Sequence, residues 1–188
     1  MTRIKRFFAS LVFLALPFGS AWANDYDTTI GVFKGAGESA NFFDNSYGYA
    51  VFPSIGKGAV GIGGAHGDGR VYAKGAHVGN TSMTQLTVGF QLGGQAFSQI
   101  IFFEDKRAFD EFTSGNFEFG AQATAVAITA GASAAATTTG DSAGSSAGKH
   151  DAKTVGKYHK GVATFTVAKG GLMYEASIGG QKFSYSPV

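Results

Sequence analysis

The sequence predicts a mainly β domain: a curved or barrel-like antiparallel sheet with one or two short packed helices. Three observations lead there. Twenty-nine glycines and eighteen phenylalanines stand against three prolines, a mixture too aromatic for a disordered chain and too rich in glycine for a helical bundle. Apolar residues alternate with polar or small ones in several runs, as at Leu86, Val88, Phe90 and Leu92, the period of a strand with one buried face. Helical spacing is confined to two segments.

In chain order, Arg3, Lys5 and Arg6 precede an apolar run from Phe7 to Leu16. Pro17 and Gly19 break the run, and Ala21-Trp22-Ala23 follows. This is the charged, apolar and small-x-small order of a secretory signal peptide, read here as residues 1–23 with Ala21 and Ala23 as the small residues before the cleavage point. The run is shorter than the roughly 20 residues a membrane-spanning helix needs. Residues 24–188 are expected to form one domain.

Asp27 to Phe43 has Ile30, Phe33, Ala40 and Phe43 near one helical face, with Asp27 or Thr28 as N-cap; Gly31, Gly35 and Gly37 each cost about 1 kcal/mol relative to alanine. Tyr47 to Phe52 reads as a short strand stopped by Pro53. Ala59 to Ala65 leads through Gly67-Asp68-Gly69 into Arg70 to Ala73, and Asp-Gly favours a tight hairpin turn because both central positions need positive φ. Leu86 to Leu92 is a half-buried strand, Ile100 to Phe103 a strand buried on both faces. Glu104 to Ser114 is a helix, with acids at its start, Phe109 and Phe112 three apart, and Gly115 at the left-handed C-terminal position. Phe117 to Ile128 alternates again. The stretch 130–148 holds only Ala, Gly, Ser and Thr apart from Asp141, too little apolar bulk to offset ordering entropy, so it reads as a long loop. Val162 to Val167, Leu172 to Ile178 and Lys182 to Tyr185, separated by Gly-Gly pairs, read as a three-stranded antiparallel meander.

Three of the fifteen basic residues and none of the thirteen acidic ones lie in the signal segment, which leaves the processed chain at a formal net charge of −1. That excludes the clustered basic surface of a nucleic-acid binder. With no cysteine there is no disulfide, lipidated cysteine or thiol nucleophile, and a domain of about 150 residues folds without staples.

Candidate chemistry is sparse. Gly56, Gly58 and Gly61 match GxGxxG, but the glycines continue at Gly63, Gly64, Gly67 and Gly69, where a dinucleotide loop would open a helix; glycine-rich strands that allow close backbone approach are the better reading. His66, His77, His150 and His159 lack metal-ligand spacing, and His66 beside Asp68 reads as a turn pair. No nucleophile elbow is present. No catalytic constellation, metal site or cofactor is expected. Lys149, Lys153, Lys157 and Lys160 form the one concentration of positive charge after residue 23. Such a run is ordinarily a solvated face. Its functional reading is contact with anionic lipid headgroups, and the four-residue spacing of the first three lysines would align them if the segment were helical.

The order of features resembles the SYLF domain family. The resemblance runs through Gly48-Tyr49-Ala50-Val51-Phe52-Pro53-Ser54, the Lys57 to Gly69 hairpin and the Leu86 to Gln95 strand ending in Gly-Gly-Gln. It continues through the short helix with Lys106, Ala108, Phe109 and Phe112, and closes with Lys160-Gly161, Lys169-Gly170-Gly171 and Ala176 to Gly180. It covers nearly all of Asp27 to Tyr185. The resemblance implies lipid binding without enzymatic activity. Eukaryotic members associate with phosphoinositide membranes and actin, whereas bacterial relatives are mostly exported; actin is not expected as a partner in that compartment.

The expected function is therefore that of an exported, non-enzymatic protein of the cell envelope, periplasmic or outer-membrane associated, with phospholipid or an anionic membrane surface as partner and apolar burial holding the lipid. The rival is a small integral outer-membrane β-barrel or an envelope structural protein. Against the barrel stand the mid-chain helix at Glu104 to Ser114, several strands shorter than the nine to eleven residues roughly needed to cross, and an ending in Ser186-Pro187-Val188 rather than in an aromatic.

Overall fold

The protein is described by a computed structural model that covers residues 21–60, 62–88, 95–121, 123–128, 157–169 and 176–188. The sequence-predicted loop at 130–148 and most of the signal segment lie outside these residues. Helices α1 (Ala21–Gly35), α2 (Gly37–Ala40) and α3 (Phe42–Asn45) lead into β1 (Gly48–Val60), β2 (Ile62–Ala73), β3 (Ala76–Val88) and β4 (Gln95–Phe103). Helix α4 (Lys106–Thr113) follows, then β5 (Thr124–Ile128), β6 (Val162–Lys169), β7 (Ala176–Ser177) and β8 (Gln181–Pro187). The sheet order is β7-β5-β6-β4-β1-β2-β3-β8. All ladders are antiparallel except β5 with β6, which is parallel.

The expected mainly β class holds, with a curved sheet that no continuous ladder closes into a barrel. Instead, the segment before β5 lies along the outer edge of β8. Phe119 N donates to Gln181 O (3.0 Å), Gly180 N to Phe119 O (3.0 Å) and Phe183 N to Phe117 O (3.0 Å).

Two cores result. Inside the curve, Phe52, Ile55, Ile101, Phe103, Phe112 and Phe183 pack together, with α4 sealing one end. Phe112 sits 4.8 Å from Phe103 and 5.2 Å from Phe183 between ring centroids, spacings at which offset and edge contacts are favourable. Outside the curve, Ile30 and Phe33 of α1 and Phe42 of α3 cover Val51, Ile100, Phe102 and Phe165. Ile100 to Phe103 is fully buried on both faces, as its unbroken apolar run predicts. Beyond Arg70 and Tyr72 of β2, which meet the outer core, the outer face of β2, β3 and β8 is polar: His66, Asp68, Asn80, Thr84, Lys182 and Ser184 are exposed.

Four expectations are corrected. The helix read over Asp27 to Phe43 is three pieces, and Asp27 and Thr28 lie inside α1 rather than capping it. The break falls at Ala36, which is extended (φ −90°, ψ 123°), between Gly35 and Gly37, where helix propensity is lowest. Ser39 Oγ donates to Phe33 O across it (2.6 Å), and the shifted register brings Ala36 and Phe42 into the core while Ala40 and Phe43 are only half-buried.

Pro53 does not end β1. The register to β2 shifts between Val51 and Gly56, and that to β4 between Phe52 and Ile55. Such a bulge is where a strand tolerates the missing N–H, and Ser98 Oγ donates to Pro53 O (2.7 Å).

The hairpin turn is not at Asp68-Gly69, and His66 and Asp68 are therefore no turn pair. They are two apart on β2, 3.9 Å from each other and exposed. The turn is Lys74-Gly75 (φ 51° and 81°), with Ala73 paired to Ala76, the positive-φ pair of a type I′ hairpin. Glycine serves another purpose at 67 and 69. A Cβ at Gly69 would stand 2.6 Å from Phe52 Cδ1 and 2.8 Å from Val51 O, and one at Gly67 would stand 2.7 Å from Ile55 Cγ1.

The C-terminal meander is not formed. β5 intervenes between β6 and β7, and β8 pairs with β3. Residues 170–175, read as the start of its middle strand, lie outside the described set. By contrast α4 follows its prediction: Asp105 Oδ1 caps it by accepting from Ala108 N (2.8 Å), and Gly115 has φ 81°.

Gly69→Ala should destabilise the protein by about 2 kcal/mol through overpacking against Phe52. Gly58→Ala, where nothing lies within 4 Å of the added Cβ, should cost less than about 0.5 kcal/mol. Urea unfolding of both variants checks this; equal losses would contradict the close approach at Gly69.

Candidate functional site

The lysine segment is only partly within the described residues. Lys149 and Lys153 lie outside them; Lys157 and Lys160 are exposed beside the α4 end of the sheet. Lys157 is not helical. His159 N donates to Val162 O (2.8 Å) and Val162 N to His159 O (3.1 Å), around a turn with Lys160 at φ 51° and Gly161 at φ 83°. Glu104 N donates to Gly161 O (2.9 Å), which holds the turn against α4. Charges of both signs meet here. Lys106 pairs with Asp110 at 2.6 Å, and Arg107 lies 3.9 Å from Asp105 and 3.5 Å from Glu111.

Between Lys157 and His159, Tyr158 turns into the outer core, 5.1 Å from Phe42. Its hydroxyl has no hydrogen-bond partner among the described residues. Burial, with the Glu104 carboxylate adding to it, pushes the phenol up to about 12.

The other residues singled out in the sequence are dispersed. Ala21 and Ala23 fall in the first turn of α1. His77 Nε2 lies 3.0 Å from Gly79 O and 3.2 Å from Asn80 Oδ1, a structural role. His150 and Gly61 lie outside the described residues, while Gly56 and Gly58 stand on β1 facing β2 in an antiparallel ladder, so no helix follows the GxGxxG. Among the described residues no three acidic or histidine side chains converge as a metal site would need.

The opposite end of the sheet differs in kind. The β1–β4 ladder stops at Lys57 and Gln95, but β1, β2 and β3 run on to Val60, Ile62 and Val88 as a three-stranded ribbon. No Asp, Glu, Lys or Arg occurs between Lys74 and Glu104, and Leu86 is 77% exposed on the ribbon. A groove of about 250 Å³ at the same end, between α1 and β4–β6, is lined by Asp25, Thr28, Ser98 and Lys169 among others.

Just inside this end, a polar crossbar spans the interior. Gln99 Nε2 donates to Gln181 Oε1 (2.9 Å), and Gln181 Nε2 donates to Gln99 Oε1 (3.1 Å) and, at 3.4 Å, to Gln85 Oε1. Gln85 Nε2 donates to Gly179 O (2.9 Å). Gln99 and Gln181 are fully buried. The crossbar joins the two walls where no ladder does. These glutamines were missed in the sequence; the available signal was their inward parity, Gln99 standing two residues before Ile101.

A model of the family described as Ysc84, Las17-binding protein actin regulator, matches residues 84–186. The chain belongs to the SYLF family. Beta cell expansion factor A of Aeromonas veronii is 30% identical over 145 residues, 75% of this chain and 46% of that protein. The chain thus spans about half the length of this curated SYLF relative. The SYLF resemblance read from motif order is thereby shown.

Gln99→Leu should cost about 2 kcal/mol, because it leaves Gln181 buried without one partner. Gln99→Leu with Gln181→Leu should cost less than the two single changes together, and a double-mutant cycle from urea unfolding reads the coupling; strict additivity would contradict the crossbar. For Tyr158, the folded state favours the neutral phenol, so stability should decline as pH rises from about 10 to about 12. Tyr158→Phe should raise stability at neutral pH by about 1 kcal/mol and reduce that alkaline decline. Thermal melts across this range check both, and a loss of stability at neutral pH would show that the hydroxyl is bonded.

Proposed function

We propose that this SYLF protein is an exported, non-enzymatic component of the cell envelope that binds phospholipid or an anionic membrane surface through the glycine-rich end of its sheet. The observation that carries the reading is the uncharged three-stranded ribbon extending past the rest of the sheet with Leu86 exposed. An uncharged ribbon with an exposed leucine on a chain of this polarity is a contact surface rather than a solvated loop. Family membership supports lipid as the partner. Export rests on the Arg3 to Ala23 pattern. Cleavage after Ala23 would leave the α1 residues that enter the outer core, Tyr26, Ile30 and Phe33, on the processed chain.

The polarity of the sheet favours peripheral binding over an integral outer-membrane barrel. A transmembrane barrel is apolar outside and polar within, whereas here phenylalanines fill the interior and His66, Asp68, Thr84 and Lys182 face outward. The rival contact is the lysine segment, where Lys157 and Lys160 are exposed near the paired charges of α4.

Leu86→Glu should weaken binding to phosphatidylglycerol-containing vesicles about tenfold, since one leucine side chain contributes on the order of 1.5 kcal/mol, without changing thermal stability. Co-sedimentation measures it beside the fourfold change of Lys149, Lys153, Lys157 and Lys160 to Gln. Loss in the fourfold variant with Leu86→Glu unaffected would move the contact to the lysine segment.

A further inference from the structure

Helix α1 presents Asp25, Thr28, Thr29 and Val32 to the groove at the glycine-rich end of the sheet. These are the i, i+3, i+4 and i+7 positions of one helical face. Ser98 of β4 and its register partner Val167 of β6 also line it, with Lys169 two residues on. The Ser98 hydroxyl is already committed to Pro53 O (2.7 Å), and Val32 is 42% exposed, so apolar surface is left uncovered within the groove. Charge enters from two sides: Asp25 on α1 and Lys169 on β6, both exposed. Neither is in an ion pair among the described residues, so the two do not reach each other across the groove. A ligand with a single charge would be attracted to one wall and repelled by the other, whereas a ligand carrying both charges is attracted by both. The volume of about 250 Å³ falls below the roughly 300–1,000 Å³ of sites that enclose a drug-sized molecule. The groove therefore suits one end of a longer amphipathic molecule whose remainder stays outside.

We propose that the groove between α1 and β6 takes the headgroup of a zwitterionic phospholipid with a primary ammonium, such as phosphatidylethanolamine, its ammonium at Asp25 and its phosphate at Lys169. This rests on the reading that the same end of the sheet meets lipid and names the headgroup. A primary ammonium donates charge-assisted hydrogen bonds to a carboxylate, and a quaternary one has no proton to donate, which sets the headgroup apart from choline. Val32 and Val167 meet the apolar atoms that follow the phosphate.

The test is co-sedimentation of the processed chain beginning at Asn24 with vesicles of phosphatidylcholine alone, with added phosphatidylethanolamine, and with added phosphatidylglycerol. The parent should bind the phosphatidylethanolamine vesicles more tightly than phosphatidylcholine alone. Asp25→Asn and Lys169→Gln should each weaken that binding about fivefold and, being exposed, should melt at the parent's temperature. On phosphatidylglycerol vesicles the two should diverge: Lys169→Gln weakens binding, and Asp25→Asn, having lost a negative charge, does not. Acetylation of the Asn24 amino group should leave phosphatidylethanolamine binding unchanged; its loss would overturn Lys169 as the phosphate's partner in favour of the chain terminus. Phosphatidylethanolamine binding by Asp25→Asn equal to the parent's would overturn the groove while leaving the lipid reading in place, and failure of the parent to bind any vesicle would overturn both. Phosphoethanolamine at millimolar concentration should displace little bound protein; complete displacement would overturn the lipid source in favour of a small soluble zwitterion.

Discussion

Burial of β1 and β4 on both faces is the constraint from which the rest of the molecule follows. Val51, Phe52, Ile100, Ile101, Phe102 and Phe103 are all fully buried, so each face of this central pair needs its own cover. The concave face is covered by the sheet's own curvature, with Phe112 of α4 and Phe183 of β8 closing on Phe52 and Phe103. The convex face is covered by α1 and α3 through Ile30, Phe33 and Phe42. Curvature in turn demands close approach, and Gly67 and Gly69 provide it by leaving Ile55 and Phe52 room over β2. Arg70, stacked on the Tyr26 ring at 4.2 Å, ties the helical cover to the neighbouring strand.

With both faces of the centre occupied and the outer face of β2, β3 and β8 polar, apolar contact with a partner is left to the end of the sheet. The two ends have separated roles. The α4 end is sealed by aromatic packing and carries mixed charge in paired form, with Lys106, Arg107, Asp110 and Glu111 engaged among themselves. The glycine-rich end carries Lys57 and Lys169, an uncharged ribbon and the buried glutamine crossbar. A contact surface built from apolar area requires no short motif of catalytic or metal-ligand spacing.

Sequence patterns were most legible where one local rule acted alone. The doubly buried Ile100 to Phe103 run and the helix capped by Asp105 and ended by Gly115 follow from periodicity and capping chemistry, whereas Leu86, whose alternation with Val88, Phe90 and Leu92 predicts a buried face, is 77% exposed at the end of β3. They failed where tertiary packing overrode a local preference. Asp68-Gly69 is a strong hairpin signal, yet the ring of Phe52 needs Gly69 inside a continuous strand, and Lys74-Gly75 makes the turn instead. Pro53 ends a strand by local rules, but a bulge absorbs it. The C-terminal runs look like neighbours because they are consecutive, whereas β5 takes the place beside β6 and β8 crosses to β3. Asp25 and Lys169 are far apart in the sequence, and no local pattern shows that they line one groove. The charge run at Lys149 to Lys160 stands out by composition, and what composition could not show is that its described part lies beside the mixed, paired charges of α4.

The central claim is that lipid meets the glycine-rich end. Amide hydrogen exchange of the processed protein, with and without phosphatidylglycerol-containing vesicles, tests it most directly. The account predicts added protection at Gly56 to Val60, Ile62 to Gly64 and Thr84 to Val88, with Lys157 to Gly161 and α4 unchanged. Protection confined to Lys157 to Gly161 and α4, with the ribbon exchanging as in the free protein, would contradict it.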